Sequence, residues 1–150
     1  MTENLYQPSA VHELELRLSR LRQDSPRQWG KMTPAQALAH YSAQMEMVLG
    51  QTFPPRQFMG RLFGRFAKPG MLGEQPLRRN MPTDPCFIVT DERDLDVERK
   101  RVQRLVAQFV AAGPAACTQH PHSFLGRMNP LEWATLMYKH LDHHLRQFAV

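Results

Sequence analysis

Three histidines, His140, His143 and His144, crowd the C-terminal end of this chain, and their spacing decides which of them can share a ligand. On a helix each residue advances by about 100°. Taking His140 as zero puts Trp133 at about 20°, His144 at about 40° and Leu136 at about −40°. Met137, Phe148, Leu141, Ala134 and Leu145 then fill roughly 60° to 140°. His140 and His144 therefore lie inside the apolar arc, whereas Lys139, Asp142, His143 and Arg146 fall on the solvent side or its margin. A buried imidazole needs a polar partner, and the i, i+4 spacing lets two of them reach one divalent metal ion. His140 and His144 are read as that pair. His143 is read as a surface group or a support beside the ligands, and Tyr138, about 160° from His140, is not read as an acid in direct contact with the metal.

A third ligand has to come from another element. His40 sits at the edge of a stripe formed by Ala37, Tyr41, Met45 and Val48, with Gln36 and Gln44 one turn away on its own face. Three histidines with open positions match a catalytic rather than a closed structural site; zinc or nickel leads, and iron, cobalt or manganese also fits. Gln36, Gln44 and Gln147 are candidates to orient the imidazoles or a water. Arg78 and Arg79 could pair with carboxylates of a small substrate, the alternative being a solvated loop. A lone core histidine is more often hydrogen-bonded than metal-bound, so the case rests on the pair together with His40. His120 and His122 flank a proline in a loop and are expected to be solvated, as is His12 on a charged helix face.

Four amphipathic segments must position these groups. Val11, Leu14, Leu18 and Leu21 recur at helical spacing, in a helix expected to end near Asp24 because Ser25-Pro26 restrains the backbone. Thr33-Pro34-Ala35-Gln36 opens the second helix with a capping box and runs to about Gly50. The third begins near Thr90 or Asp91, carries Leu95, Val102, Leu105, Val106, Phe109 and Val110, and stops at Gly113-Pro114. Asn129-Pro130-Leu131-Glu132 opens the fourth, which continues close to the C-terminus. Between helices two and three, residues 51–89 form a connection rich in Pro, Gly and Arg, read as a lid or crossover over the metal site. Its stretch from Phe58 to Phe66 is apolar enough to pack against the bundle as a short helix. The expected fold is an all-α four-helix bundle with a long crossover between helices 2 and 3, in a single domain spanning 1–150.

Composition narrows the function classes. With 42% apolar and 22% charged residues, the chain of 150 residues reads as an ordinary globular protein. No apolar run approaches the ~20 residues that cross a bilayer, so no membrane partner is expected. The polar start Met1-Thr2-Glu3-Asn4 reads as lacking a secretory leader, which makes a cytoplasmic protein the expectation. Cys86 and Cys117 are not expected to pair. The net charge of +5 admits nucleic acid as a partner, through Arg56, Arg61, Arg65, Lys68, Arg78 and Arg79 interleaved with Phe58, Phe63 and Phe66. The fifteen arginines are scattered, however, and no helix concentrates charge on a recognition face, so that reading stays secondary.

Trp29-Gly30-Lys31-Met32-Thr33-Pro34-Ala35-Gln36, Ala39-His40 and the terminal run from Leu136 to Phe148 resemble the DinB/YfiT-like metalloenzyme superfamily, and more closely an uncharacterised domain-of-unknown-function branch of it. The likeness extends over Arg78-Arg79-Asn80, Pro82-Thr83 and His120-Pro121-His122-Ser123-Phe124-Leu125-Gly126. What the resemblance implies is a four-helix bundle, often a homodimer, whose metal is held by His40 from the second helix and by His140 and His144 from the last. It further implies a thiol S-transferase using a low-molecular-weight thiol, or a hydrolase, acting on a small molecule. A non-catalytic or regulatory bundle is the alternative.

Overall fold

The structure, a computed structural model, describes residues 2–150. Five α-helices follow in chain order: α1 Pro8–Arg20, α2 Pro34–Val48, α3 Phe58–Leu72, α4 Leu95–Ala112 and α5 Pro130–Gln147. Single 3-10 turns at Pro85–Phe87 and Pro114–Ala116 punctuate the connections, and no strand occurs among the described residues.

Local chemistry accounts for the helix ends. In α2 the Gln36 N–H donates to Thr33 Oγ1 at 3.2 Å and the Thr33 N–H to Gln36 Oε1 at 3.0 Å, closing the capping box. Asn129 and Glu132 repeat it at α5, at 2.9 and 2.8 Å. Asp94 caps α4 through the Val97 N–H, and Gly113, at φ 71°, ends it in a conformation that disfavours any side chain. α1 stops at Arg20 rather than near Asp24, because Leu21 turns extended (ψ 127°) and drops its side chain into the core.

The expectation of four helices is revised to five. The extra element is α3, which occupies 15 residues of the connection 51–89. α5 is the hub: α1, α2 and α3 all pack on it, while α4 lies against α2. Consequently residues 133–141 are buried without interruption, on every side of the helix. Lys139, expected at the solvent margin, is buried and donates its ammonium to the carbonyl of Gly73, just past α3. The amphipathic count missed this because α3 covers the flank the count left open.

Polar ties join the layers. Arg17 of α1 donates to Asp142 of α5 at 2.8 Å and to the Val150 carbonyl at 3.2 Å. Buried Glu98 of α4 receives Arg93 and Arg101, both at 3.3 Å, and Arg101 also meets Glu46 of α2. Cys86 is exposed and Cys117 buried; both are free thiols.

Candidate metal centre

α2 and α5 cross so that His40 faces His140 and His144. Nε2 of His140 lies 3.1 Å from Nε2 of His40 and 2.9 Å from Nε2 of His144. All three side chains are buried, and each offers a ligand atom within 4.8 Å of the others. The rings of Tyr41 and His140 meet edge to face, with centroids 5.6 Å apart.

Backbone and amide partners decide where the imidazole protons sit. The Phe87 carbonyl lies 2.8 Å from Nδ1 of His40, so that nitrogen carries the proton and donates it. Gln147 donates its amide to the Trp29 carbonyl at 2.8 Å, which turns its Oε1 toward Nδ1 of His144 at 2.9 Å. Here too the proton belongs on Nδ1. Nε2 of His40 and of His144 are therefore bare lone pairs aimed at Nε2 of His140. That nitrogen either shares one proton between two acceptors or contributes a third lone pair. A cation would satisfy three converging lone pairs at once, and the Nε2–Nε2 distances of 3.1 and 2.9 Å from His140 are short enough for these nitrogens to share one ion at Zn–N distances of ~2.0–2.1 Å. The donor set fits a borderline divalent metal.

Electrostatics keeps the cluster in its ligating form. Burial lowers the pKa of His40, partly offset by the Phe87 carbonyl. Burial likewise pushes His144 down to about 3, with His40 adding to it and Gln147 opposing it. His140 is held well below its usual range, first by burial and then by its two neighbours. All three are neutral imidazoles near neutral pH, the state in which histidine binds metals.

The other expected site residues are distributed unevenly. Gln44 places its amide 3.4 Å from Nε2 of His40. Gln36 has both amide ends engaged at the start of α2, with the Thr33 N–H and the Asp91 carbonyl, the latter at 3.0 Å. His143 is half-buried: it stands 3.4 Å from the Trp29 indole nitrogen and hydrogen-bonds the Leu77 backbone, and burial lowers its pKa. Arg79 lies over the Trp29 ring, 4.3 Å from its centroid, and Arg78 is exposed beside it. Trp29, Pro76, Leu77, Arg79, His143 and Arg146 line a cleft of about 50 Å³, and the His143 ring in that lining stands 5.4 Å from the His144 ring.

Two loop histidines depart from the expectation of solvation. His120 meets the Pro54 carbonyl at 2.8 Å. His122 accepts the Phe124 and Leu125 N–H groups on Nδ1, at 3.0 and 3.1 Å, and lies against Trp133. Burial pushes its pKa down to about 4. His12 is exposed, as expected. The carbonyls of Phe87 and Trp29 escaped the sequence reading altogether: a backbone acceptor has no residue signature, and both come from segments remote in sequence from the imidazoles they serve.

The helices and the buried imidazole cluster define a helical protein with a potential metal centre. The chain belongs to the family described as Protein of unknown function (DUF1569), whose profile matches residues 5–150. No curated protein and no solved structure gives a match.

Proposed function

We propose that the protein is a metal-dependent enzyme acting on a small anionic molecule, with His40, His140 and His144 as ligands of a divalent ion. The observation that carries this reading is the placement of the Phe87 carbonyl and the Gln147 amide against Nδ1 of His40 and His144, which leaves their Nε2 lone pairs converging with Nε2 of His140 inside the core. Zinc or nickel heads the candidates on ligand chemistry, with iron, cobalt and manganese compatible. Bound there, such an ion supplies Lewis acidity that lowers the pKa of a water or a thiol, so that a nucleophile forms near neutral pH. Either thiol S-transfer, using a low-molecular-weight thiol, or hydrolysis follows from that chemistry. Membership of the DinB/YfiT-like superfamily, a homodimer and a cytoplasmic location belong to the same reading, supported by the likeness of the terminal histidine helix and of the Trp29 to His40 stretch.

The chain's own groups divide the remaining work. Gln147 and the Phe87 carbonyl hold two imidazoles in register, and Gln44 can accept or donate at the open side of His40. Arg79, over the Trp29 ring, and Arg146 put two guanidinium groups on the cleft lined by His143, which suits a carboxylate on the substrate; Arg78 extends the charge. The test is elemental analysis of untagged protein purified without chelating resin. About one divalent ion per chain is expected, largely lost in His144→Ala. Wild-type protein that holds no ion and takes up none of zinc, nickel, iron, cobalt or manganese on dialysis would sink the reading.

A further inference from the structure

α3 turns its bulk the wrong way for a helix that merely covers a core. Phe58, Met59, Leu62, Phe63 and Phe66 occupy one continuous arc of about 140° and are 49–73% exposed. The side facing the protein is made of small residues, and Gly60 and Gly64 are its buried positions. A Cβ on Gly60 would stand 2.6 Å from the Phe124 carbonyl oxygen, and one on Gly64 only 2.0 Å from the same atom. The helix backbone therefore lies directly on the 123–125 loop, an approach that only glycine permits.

Two further ties prevent the helix from rolling over to bury its aromatic side. Lys68 pairs with Glu132 at 2.7 Å and donates to the Arg127 carbonyl at 2.8 Å, and Lys139 of α5 holds the carbonyl of Gly73. Glycine contact, ion pair and ammonium clamp all fix one orientation, with the apolar arc outward. A contiguous apolar face of this kind on a folded protein marks an interaction surface.

Charge selects the occupant. Arg61 and Arg65 are exposed along one edge of the arc, Arg65 stacked on Phe66 with 4.5 Å to the ring centroid, and the whole chain carries +5. A second copy packed antiparallel on this face would bring the same arginines to the same edge, like charge against like charge. Single-stranded nucleic acid can stack on phenylalanine, but Met59 and Leu62 interrupt the ring series and only two guanidinium groups border the arc. A convex ridge of Phe, Leu and Met, edged by long basic side chains able to reach the headgroup level, has the form of a helix lying in a lipid interface. We infer that α3 is a peripheral docking surface for an anionic lipid bilayer, seated in the interfacial plane with Phe58, Phe63 and Phe66 inserted and Arg61 and Arg65 at the phosphates. Such docking needs no spanning helix, and no helix among the described residues is long and apolar enough to cross a membrane.

The experiment is co-sedimentation of the full chain with vesicles of phosphatidylglycerol and phosphatidylcholine, against vesicles of phosphatidylcholine alone. Binding is expected on the anionic vesicles only and to weaken with added salt. Arg61→Gln/Arg65→Gln should lower the partition about 25-fold, from about fivefold per arginine. Phe63→Ser/Phe66→Ser, at exposed positions that leave the core intact, should abolish binding while circular dichroism and Tm stay unchanged. Three results would overturn the inference: no partition onto anionic vesicles, a dimer in light scattering that Phe63→Ser/Phe66→Ser disperses, or salt-sensitive binding to an oligonucleotide that Arg61→Gln/Arg65→Gln removes.

Discussion

Adjacent histidines on one helix end in different chemistry because 100° of rotation separates them. His144 enters the core with a lone pair free for a ligand, whereas His143 braces Trp29 and Leu77 at the rim. His144→Ala should strip most of the metal, since His140 cannot reach the vacated position from one turn away. His143→Ala should keep the metal but lower stability by ~1–2 kcal/mol, through the lost indole and carbonyl contacts. Metal stoichiometry and denaturant midpoints of the two variants check both halves, and the reverse pattern in metal content would move the ligand set. His122 gives a pH prediction. Folded, it resists protonation until about pH 4, whereas in the unfolded chain it takes up a proton near 6.5. The unfolded state thus binds more protons in that window, so this contribution is complete above about pH 6.5 and falls by up to ~3 kcal/mol as the pH drops to 4. The depressed histidines of the cluster act with the same sign. Thermal unfolding scans between about pH 7 and 5 should show Tm declining; a flat profile would mean that these rings are solvated.

At the scale of elements, α3 shows how much an orientation depends on two missing methyl groups. Ala is normally preferred over Gly inside a helix by ~1 kcal/mol, and at Gly70, where an added Cβ meets nothing within 4 Å, the substitution should stabilise by about that amount. Gly64→Ala should do the opposite. Its Cβ would collide with the Phe124 carbonyl, so α3 must move off the loop, at a cost on the order of 1–3 kcal/mol. Opposite signs at two glycines of one helix, measured by urea denaturation, separate backbone contact from helix propensity; equal signs would show that α3 does not rest on that loop. The connection 51–89 also touches the candidate metal centre in a way its composition did not announce. It was expected to fold over the site because its Phe and Met residues need cover, yet Phe58, Met59, Phe63 and Phe66 remain exposed. What reaches the site instead is its backbone at Phe87, Leu77 and Gly73, meeting His40, His143 and Lys139.

For the whole molecule, a ligand bound only by the native state stabilises it by mass action. Zinc at 100 times its Kd should add ~2.7 kcal/mol, a rise in Tm on the order of 5–10 °C for a chain of this size. A chelator should reverse it. His140→Ala should remove the response to zinc, and a wild-type Tm indifferent to both zinc and chelator would count against the site. How much of this was legible in the sequence differs by feature, and for a physical reason. Helical periodicity and capping act within a few residues, so the starts at Thr33 and Asn129, the all-α class and the inward register of His40, His140 and His144 could all be read from spacing alone. Proton placement on those rings could not, because it depends on carbonyls 47 residues from His40, at Phe87, and on the Trp29–Gln147 link, 118 residues apart. The burial of Lys139, the partial burial of His122 and the outward turn of α3 belong with these. Each is set by which distant segment arrives to cover a surface, and such contacts between remote segments leave no periodic trace in either partner's sequence.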